Sequence, residues 1–392
     1  MHKYYFILLL FFSSCNRQES DFIGVLDKIN DNFIPDSRTA LFNFQLMESE
    51  EGLIVIGETN IPEIIGAIND SLSVGKHSIK NKIQLLPSDN LGEQKWALIN
   101  VSVGNIRVDH RHSSELVTQA TGGTPLNILK KSGSWFLVQT PDRYIGWIDG
   151  GGITRIDDIT LVSFLQDKKV IFTEVYGFSL SEPEKDAVRI SDVVGGNIFK
   201  LVGESDLFWE VQYPDGRKAY IDKAKAELYS SWLQRQQYNF EELINIAFQL
   251  NGIPYLWGGT SAKGVDCSGF TKTVYFLNGM LLPRDASQQA LIGALVEEKG
   301  DFSSLQPGDL LFFGKAATDS TTEKVVHVGM WIGEMKFIHA SGDVHVGSMD
   351  PGSSIFDEYN HQRYLRTKRI LESDDFNSLL VQNFFGEGLH DH

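Results

Sequence analysis

The stretch GVDCSGFTKTVYFLNG, residues 264–279, decides how the C-terminal part of the chain is read. Cys267, Phe270, Val274 and Leu277 recur at the spacing of one helix face. Asn278-Gly279 supplies a stop, because glycine readily takes the left-handed conformation that closes a helix. Asp266 or a residue beside it is the predicted cap, which puts Cys267 in the first turn. Unsatisfied N–H groups and the positive dipole end favour a thiolate there, so the thiol is predicted to have a lowered pKa. The same groups suit an oxyanion formed by attack on a carbonyl. A sulfur nucleophile of this kind calls for a general base elsewhere in the chain.

Two histidines follow at a suitable place. In VVHVGMWIG, Val326, Val328, Met330 and Ile332 alternate with His327, Gly329 and Trp331, the pattern of a half-buried strand. After Gly333-Glu334-Met335, KFIHASG forms a second strand with His339. A three-residue loop pairs Lys336 with Ile332 and sets His339 opposite Gly329, on the face of His327. A two-residue loop would send it to the other face. The three-residue loop is the expectation, with His339 orienting His327. His345 and His361 read as surface residues. A zinc site from Cys267, His327 and His339 is the rival reading, but it lacks a short-range pair such as His-x-x-x-His, so no metal is expected.

Working outward, Phe240, Leu243, Ile244, Ala247 and Leu250 predict a helix, opened by Asn239 with Glu242 and closed by Asn251-Gly252. Helices followed by a run of strands give this unit, residues 238–372, an α+β fold; residues 373–392 read as a tail. Between Trp96 and Ile156, INVSVGNIRV, TPLNILKKSG, SWFLVQTPDR and YIGWIDGG read as four short strands, the pattern of a small β-barrel over 91–156. A weaker copy covers 157–228, where DLFWEVQYPDGRKAYID aligns Trp209 near Trp135 and Tyr220 near Trp147. Residues Glu227 to Gln237 read as a helical connector. In the segment 21–90, Leu53 to Ile56 read as a buried strand and Pro62 to Leu72 as a helix, without evident chemistry.

The formal charge is −16 with no clustered Lys or Arg, which argues against nucleic acid as a partner and is read as solubility. Lys3 precedes an apolar run from Tyr4 to Phe12, too short to span a bilayer but suited to the core of an export signal over 1–14. Ser13-Ser14-Cys15 resembles the lipobox of bacterial lipoproteins, although Phe12 stands where those boxes usually carry Leu. The resemblance implies cleavage before Cys15, a lipid on Cys15, a tether over 15–20, and anchoring to the cell envelope, facing the periplasm. The chain has two cysteines, so a lipidated Cys15 leaves Cys267 without a disulfide partner.

PYLWGG, DCSGF, LPRDASQQ, LQPGDLLFF, HVGMWIG and FIHAS, in that order, resemble the NlpC/p60 family of cell-wall cysteine peptidases, over nearly all of residues 239–370. GSWFLVQTPDRYIGWI resembles bacterial SH3-like domains. The resemblance implies a papain-like domain preceded by two SH3-like barrels, with Cys267 as nucleophile, His327 as base and His339 as orienting residue, and no cofactor. Asp285-Ala286 departs from the Thr-Ser that many relatives carry after the Arg; Asp285 with Gln288 also reads as a helix capping box. The whole arrangement resembles the γ-D-glutamyl-L-diamino-acid endopeptidases, which act on peptidoglycan stem peptides with a free N-terminal L-Ala. For that group Glu115, Tyr144, Tyr255, Asp266, Ser268 and Asp285 are the implied substrate-binding residues. Other amide or acyl-transfer chemistry on the same fold, or a non-catalytic wall-binding lipoprotein, are the alternatives.

Overall fold

The computed structural model describes residues 22–384, apart from 50–51, 75–78 and 236–237. The predicted signal, the tether and Cys15 lie outside these residues. Among the described residues no helix is long and apolar enough to cross a membrane.

The Cys267–Leu277 helix is capped by Asp266, whose carboxylate accepts the Gly269 N–H at 2.7 Å, and it ends at Asn278 before Gly279 at φ 79°. Cys267, Phe270, Val274 and Leu277 share one buried apolar cluster with Val328, Met330, Ile338 and Ala340 of two strands. Full burial of a side chain such as Phe270 is worth about 2 kcal/mol. The polar face is buried as well: Ser268, Thr271, Lys272 and Thr273 are covered by other parts of the chain, which a one-face pattern does not announce. Gly269 is what lets the first turn approach its neighbour, since a Cβ there would lie 1.9 Å from the Gly259 carbonyl oxygen.

The helix packs on a six-stranded antiparallel sheet in the order Ala294–Glu297, Tyr364–Arg369, Leu310–Lys315, Lys324–Gly333, Lys336–Ser341, Asp343–Ser348. The Phe240–Gln249 helix is opened by Asn239, which accepts the Glu242 N–H at 2.8 Å. Residues past 372 are only partly a tail. Leu281 donates to the Leu379 carbonyl at 2.7 Å and Val381 is fully buried, so the chain to 384 closes one side of the unit.

The histidine hairpin is built differently from the expectation. Gly333 pairs with Lys336 across a two-residue turn, in which Glu334 and Met335 both take positive φ. The register then shifts at Ile332, so that Trp331 faces Phe337 and Met330 faces Ile338. A bulged residue restores the count that the shorter turn removes. Gly329 therefore lies across from His339, and a Cβ on it would come within 3.2 Å of the His339 Cβ. His327 and His339 share a face, as expected, by another route.

Upstream stand two seven-stranded antiparallel sheets of equal connectivity. The first, over Trp96–Ile156, runs in the order of its seventh, first, fourth, fifth, sixth, second and third strands; the second, over Lys169–Leu228, has its first and seventh strands in the matching outer places. INVSVGNIRV is not one strand but parts of two, Trp96–Ile99 and Val103–Arg107. In register, Tyr220 stands where Trp147 does, whereas Phe208 and not Trp209 takes the place of Trp135. The connector begins later than expected, as a helix Tyr229–Arg235 after a strand Ala226–Leu228; residues 236–237 lie outside the described residues.

Residues 22–86 form a separate small α/β unit. A helix over 22–33 and the Pro62–Val74 helix cover a sheet of Phe42–Ser49, Gly52–Thr59 and Ile79–Leu85. Phe22, Leu26, Ile29, Val55, Ile64 and Ile68 fill its core. It docks on the first β unit through Leu86 and Leu41, which pack in one cluster with Leu129 and Leu137. Substituting Gly269→Ala is expected to cost about 3 kcal/mol or more, because the obstacle is a backbone carbonyl that has nowhere to move. A urea titration reading less than about 1 kcal/mol would contradict this close approach.

Candidate active site

Cys267 sits in the first turn of its helix, 8% exposed, against the strand that carries His327. The Val328 and Ser268 backbone N–H groups are near enough to favour its anion. His327 Nε2 lies 2.8 Å from His339 Nδ1, with the rings edge to face. His339 is itself 1% exposed, and its Nε2 lies 3.7 Å from Asp357 Oδ2 with no hydrogen-bond partner among the described residues. His345 pairs with His339 across the next strand, their rings 4.6 Å apart. Tyr255, His327, His339, His345, Asp357 and Arg363 line a cavity of about 1000 Å³.

The electrostatics differ from the expectation of a lowered thiol pKa. Burial, then the nearby Asp266 carboxylate, push the Cys267 thiol up to about 11, against the N–H donors and Arg284. A helix start contributes about 0.3–1 kcal/mol toward the anion, less than the cost of desolvating it. Burial, aided by the neighbouring imidazoles, holds His327 well below 6.5 and His339 at about 4, with Asp357 opposing the shift of His339. These shifts all favour the neutral forms of the thiol and of both imidazoles.

Asp266 is held on three sides. It caps Gly269, accepts the Gly258 N–H at 2.9 Å, and forms a two-pronged ion pair with the fully buried Arg284 at 3.1 and 2.5 Å. Arg284 also donates to Ser268 Oγ at 3.0 Å. Asp285 takes the next place along the wall, where it accepts the Tyr144 hydroxyl at 3.2 Å. Burial and the Asp285 charge raise the Tyr144 pKa, so its hydroxyl stays a donor. The capping box is present through the Asp285 N–H, which donates to Gln288 Oε1 at 3.0 Å. Burial raises the Tyr255 pKa, with the Cys267 charge next in importance.

The first β unit supplies one wall of this site. Glu115 accepts the Trp257 indole N–H at 2.6 Å, Thr260 and Ser261 donate to Gln119, and Lys272 pairs with Asp142 at 2.7 Å. Gly258, at φ 80°, lies so close to Leu116 that a Cβ would stand 2.2 Å from its carbonyl oxygen. Thus Cys267, His327, His339, Tyr255, Asp266 and Ser268 converge, Tyr144 and Asp285 meet beside them, and Glu115 is held at Trp257. Sequence reasoning missed Asp357, His345 and Arg284. Only Arg284 had a visible signal, its place beside Asp285 in LPRDASQQ. Among the described residues no group of His, Cys, Asp or Glu is arranged to hold a metal ion.

A helix-borne thiol backed by two hydrogen-bonded histidines on a hairpin defines a cysteine peptidase of papain-like fold. The sequence profile of the NlpC/P60 family matches residues 252–369, and that of the bacterial SH3 domain matches 102–154. The chain is 32% identical over 240 residues to a gamma-D-glutamyl-L-lysine dipeptidyl-peptidase of Bacillus cereus, covering 58% of this chain and 68% of that protein. It is 27% identical over 270 residues to dipeptidyl-peptidase 6 of Lysinibacillus sphaericus, covering 65% and 92%. A crystal structure of an NlpC/P60 family protein from Bacillus cereus superposes with a TM-score of 0.58 at 25% identity, covering 70% of this chain and 99% of that one. The chain belongs to the NlpC/P60 family.

Because only the thiolate is alkylated, labelling of Cys267 by iodoacetamide should rise nearly tenfold per pH unit between about pH 6 and about pH 10. A plateau reached below about pH 7 would mean that the resting site is an ion pair instead.

Proposed function

We propose that the protein hydrolyses the γ-D-glutamyl–L-diamino-acid bond of peptidoglycan stem peptides that carry a free N-terminal L-Ala. The reading rests on one observation above all: Cys267 begins a helix packed on the strand of His327, whose Nε2 lies 2.8 Å from His339 Nδ1, and the Asp266–Arg284 pair beside it leads to Asp285, which accepts the Tyr144 hydroxyl at 3.2 Å. With Nε2 engaged by His339, His327 has Nδ1 left for the thiol. That assignment makes His327 Nε2–H the donor to His339 Nδ1 and leaves the His339 proton on Nε2, toward Asp357.

His327 takes the thiol proton as the sulfur attacks the γ-glutamyl carbonyl, so charge separates only when the carbonyl begins to accept it. First-turn N–H groups stabilise the oxyanion, with Tyr255 nearby. His327 returns the proton to the departing amine of the diamino acid, and water, deprotonated by the same imidazole, cleaves the thioester. A carboxylate and a phenol hydroxyl side by side favour an ammonium and disfavour an alanine still joined to sugar, whose amide carries no charge. The names of the relatives support the γ-glutamyl bond as the one cut.

Export and attachment to the envelope through a lipid on Cys15 belong to the same proposal, supported by the segment Lys3–Cys15. A Cys15→Ser variant should move from the membrane to the soluble fraction; unchanged fractionation would remove the anchor. Cys267→Ala is expected to lower cleavage of L-Ala-γ-D-Glu-diaminopimelate at least about a thousandfold, read by mass spectrometry of the products. The wild type should cut this free tripeptide about thirtyfold or more better, in kcat/KM, than the stem still bound to sugar. Equal cutting of the two would reject the recognition of the amine.

A further inference from the structure

The segment 36–39 of the N-terminal unit reaches the wall of the active site. Arg38 Nη1 donates to Asp285 Oδ2 at 2.7 Å and to Ser287 Oγ at 3.0 Å. Its remaining nitrogens are held by Asp36, Nε on Oδ1 at 2.8 Å and Nη2 on Oδ2 at 2.7 Å. Gln288, from the same short helix as Ser287, donates to Asp36 Oδ2 at 2.7 Å. The backbone is pinned as well: the Arg38 carbonyl accepts the Ile145 N–H at 2.8 Å, and the Thr39 carbonyl accepts the Gln139 amide at 2.9 Å. Three units thus meet at one carboxylate, and the cation among them comes from a part of the chain outside both family profiles.

We infer that Arg38 is a specificity-determining residue that competes internally with the substrate ammonium for Asp285. This inference rests on the amine recognition proposed above. Asp285 Oδ2 already accepts from Arg38 and Tyr144, and Oδ1 lies 3.9 Å from the buried Arg284. An arriving ammonium meets a carboxylate whose charge is largely answered. Displacing Arg38 breaks only its Nη1 bonds, because Asp36 keeps Nε and Nη2, so the competitor is weakened without being released. The pair is about a third exposed, with side-chain exposures of 35% and 28%, which keeps the competition modest. The site is thereby tuned toward peptides that offer more than an amine, and bare aminoacyl ends are bound poorly.

The test compares the full chain with Arg38→Gln and Arg38→Lys, using L-Ala-γ-D-Glu-diaminopimelate and its N-acetylated form. Gln removes the cation but leaves the backbone bonds to Ile145 in place; Lys keeps a cation. For the free tripeptide, Arg38→Gln should lower KM about fivefold with kcat unchanged, and Arg38→Lys should stay near the wild type. The acetylated peptide should show no change in KM. A KM for the free tripeptide that is unchanged or raised in Arg38→Gln overturns the inference, a rise meaning that Arg38 supports Asp285 instead of competing for its ligand. If the wild type cuts both peptides alike, the amine reading fails and this inference fails with it; if the wild type prefers the free amine but the variants do not differ, only the inference falls.

Discussion

The Asp266 carboxylate is the group on which the rest of the site depends. It starts the helix that carries Cys267, fixes the Trp257-Gly258 approach through the Gly258 N–H, and neutralises the fully buried Arg284. Removing one member of such a pair costs about 3–5 kcal/mol, because the other charge is left buried and unanswered. The same carboxylate lies close enough to Cys267 to disfavour its anion. One side chain therefore builds the nucleophile's position and adds to the burial that disfavours its anion. Catalysis then requires a base that is itself neutral, and burial of His327 provides one.

The β unit beside the peptidase contributes to the site through a polar interface. Gln119 bonds to Thr260 and Ser261, Asp142 to Lys272, Glu115 to Trp257, and Tyr144 to Asp285. Lys272 belongs to the catalytic helix, so the second face of that helix is completed jointly by Asp142 of the neighbour and by Arg284, Gln289 and the Leu282 carbonyl of its own unit. A buried polar interface of this kind is directional: each bond fixes a relative placement that apolar contact would leave free to slide. Tyr144 is accordingly delivered to Asp285 by a unit held in place on several bonds.

Much of this was legible in the sequence where periodicity and capping act locally. The Cys267 helix, its Asp266 cap and its Asn278-Gly279 end follow from residues adjacent in the chain. The helix over 22–33 carried a comparable signal in Phe22, Val25, Leu26, Ile29 and Phe33, yet only Leu53–Ile56 and Pro62–Leu72 are singled out within 21–90. The thiol's charge was misjudged because a helix start is visible in sequence whereas burial is not. Asp357 reaches His339, and Arg38 reaches Asp285, only through folding of distant segments; neither position has a neighbour that marks it.

The histidine hairpin carries a consequence of parity. Its turn has two residues and its strand one bulged residue at Ile332, and only their combination sets His339 opposite Gly329. Given a two-residue turn, losing the bulge at Ile332 would slip the second strand by one residue and turn His339 to the opposite side of the sheet. A residue added within the turn leaves the pairing in place, whereas one added to either strand has to be taken up as a further bulge if the two rings are to stay together.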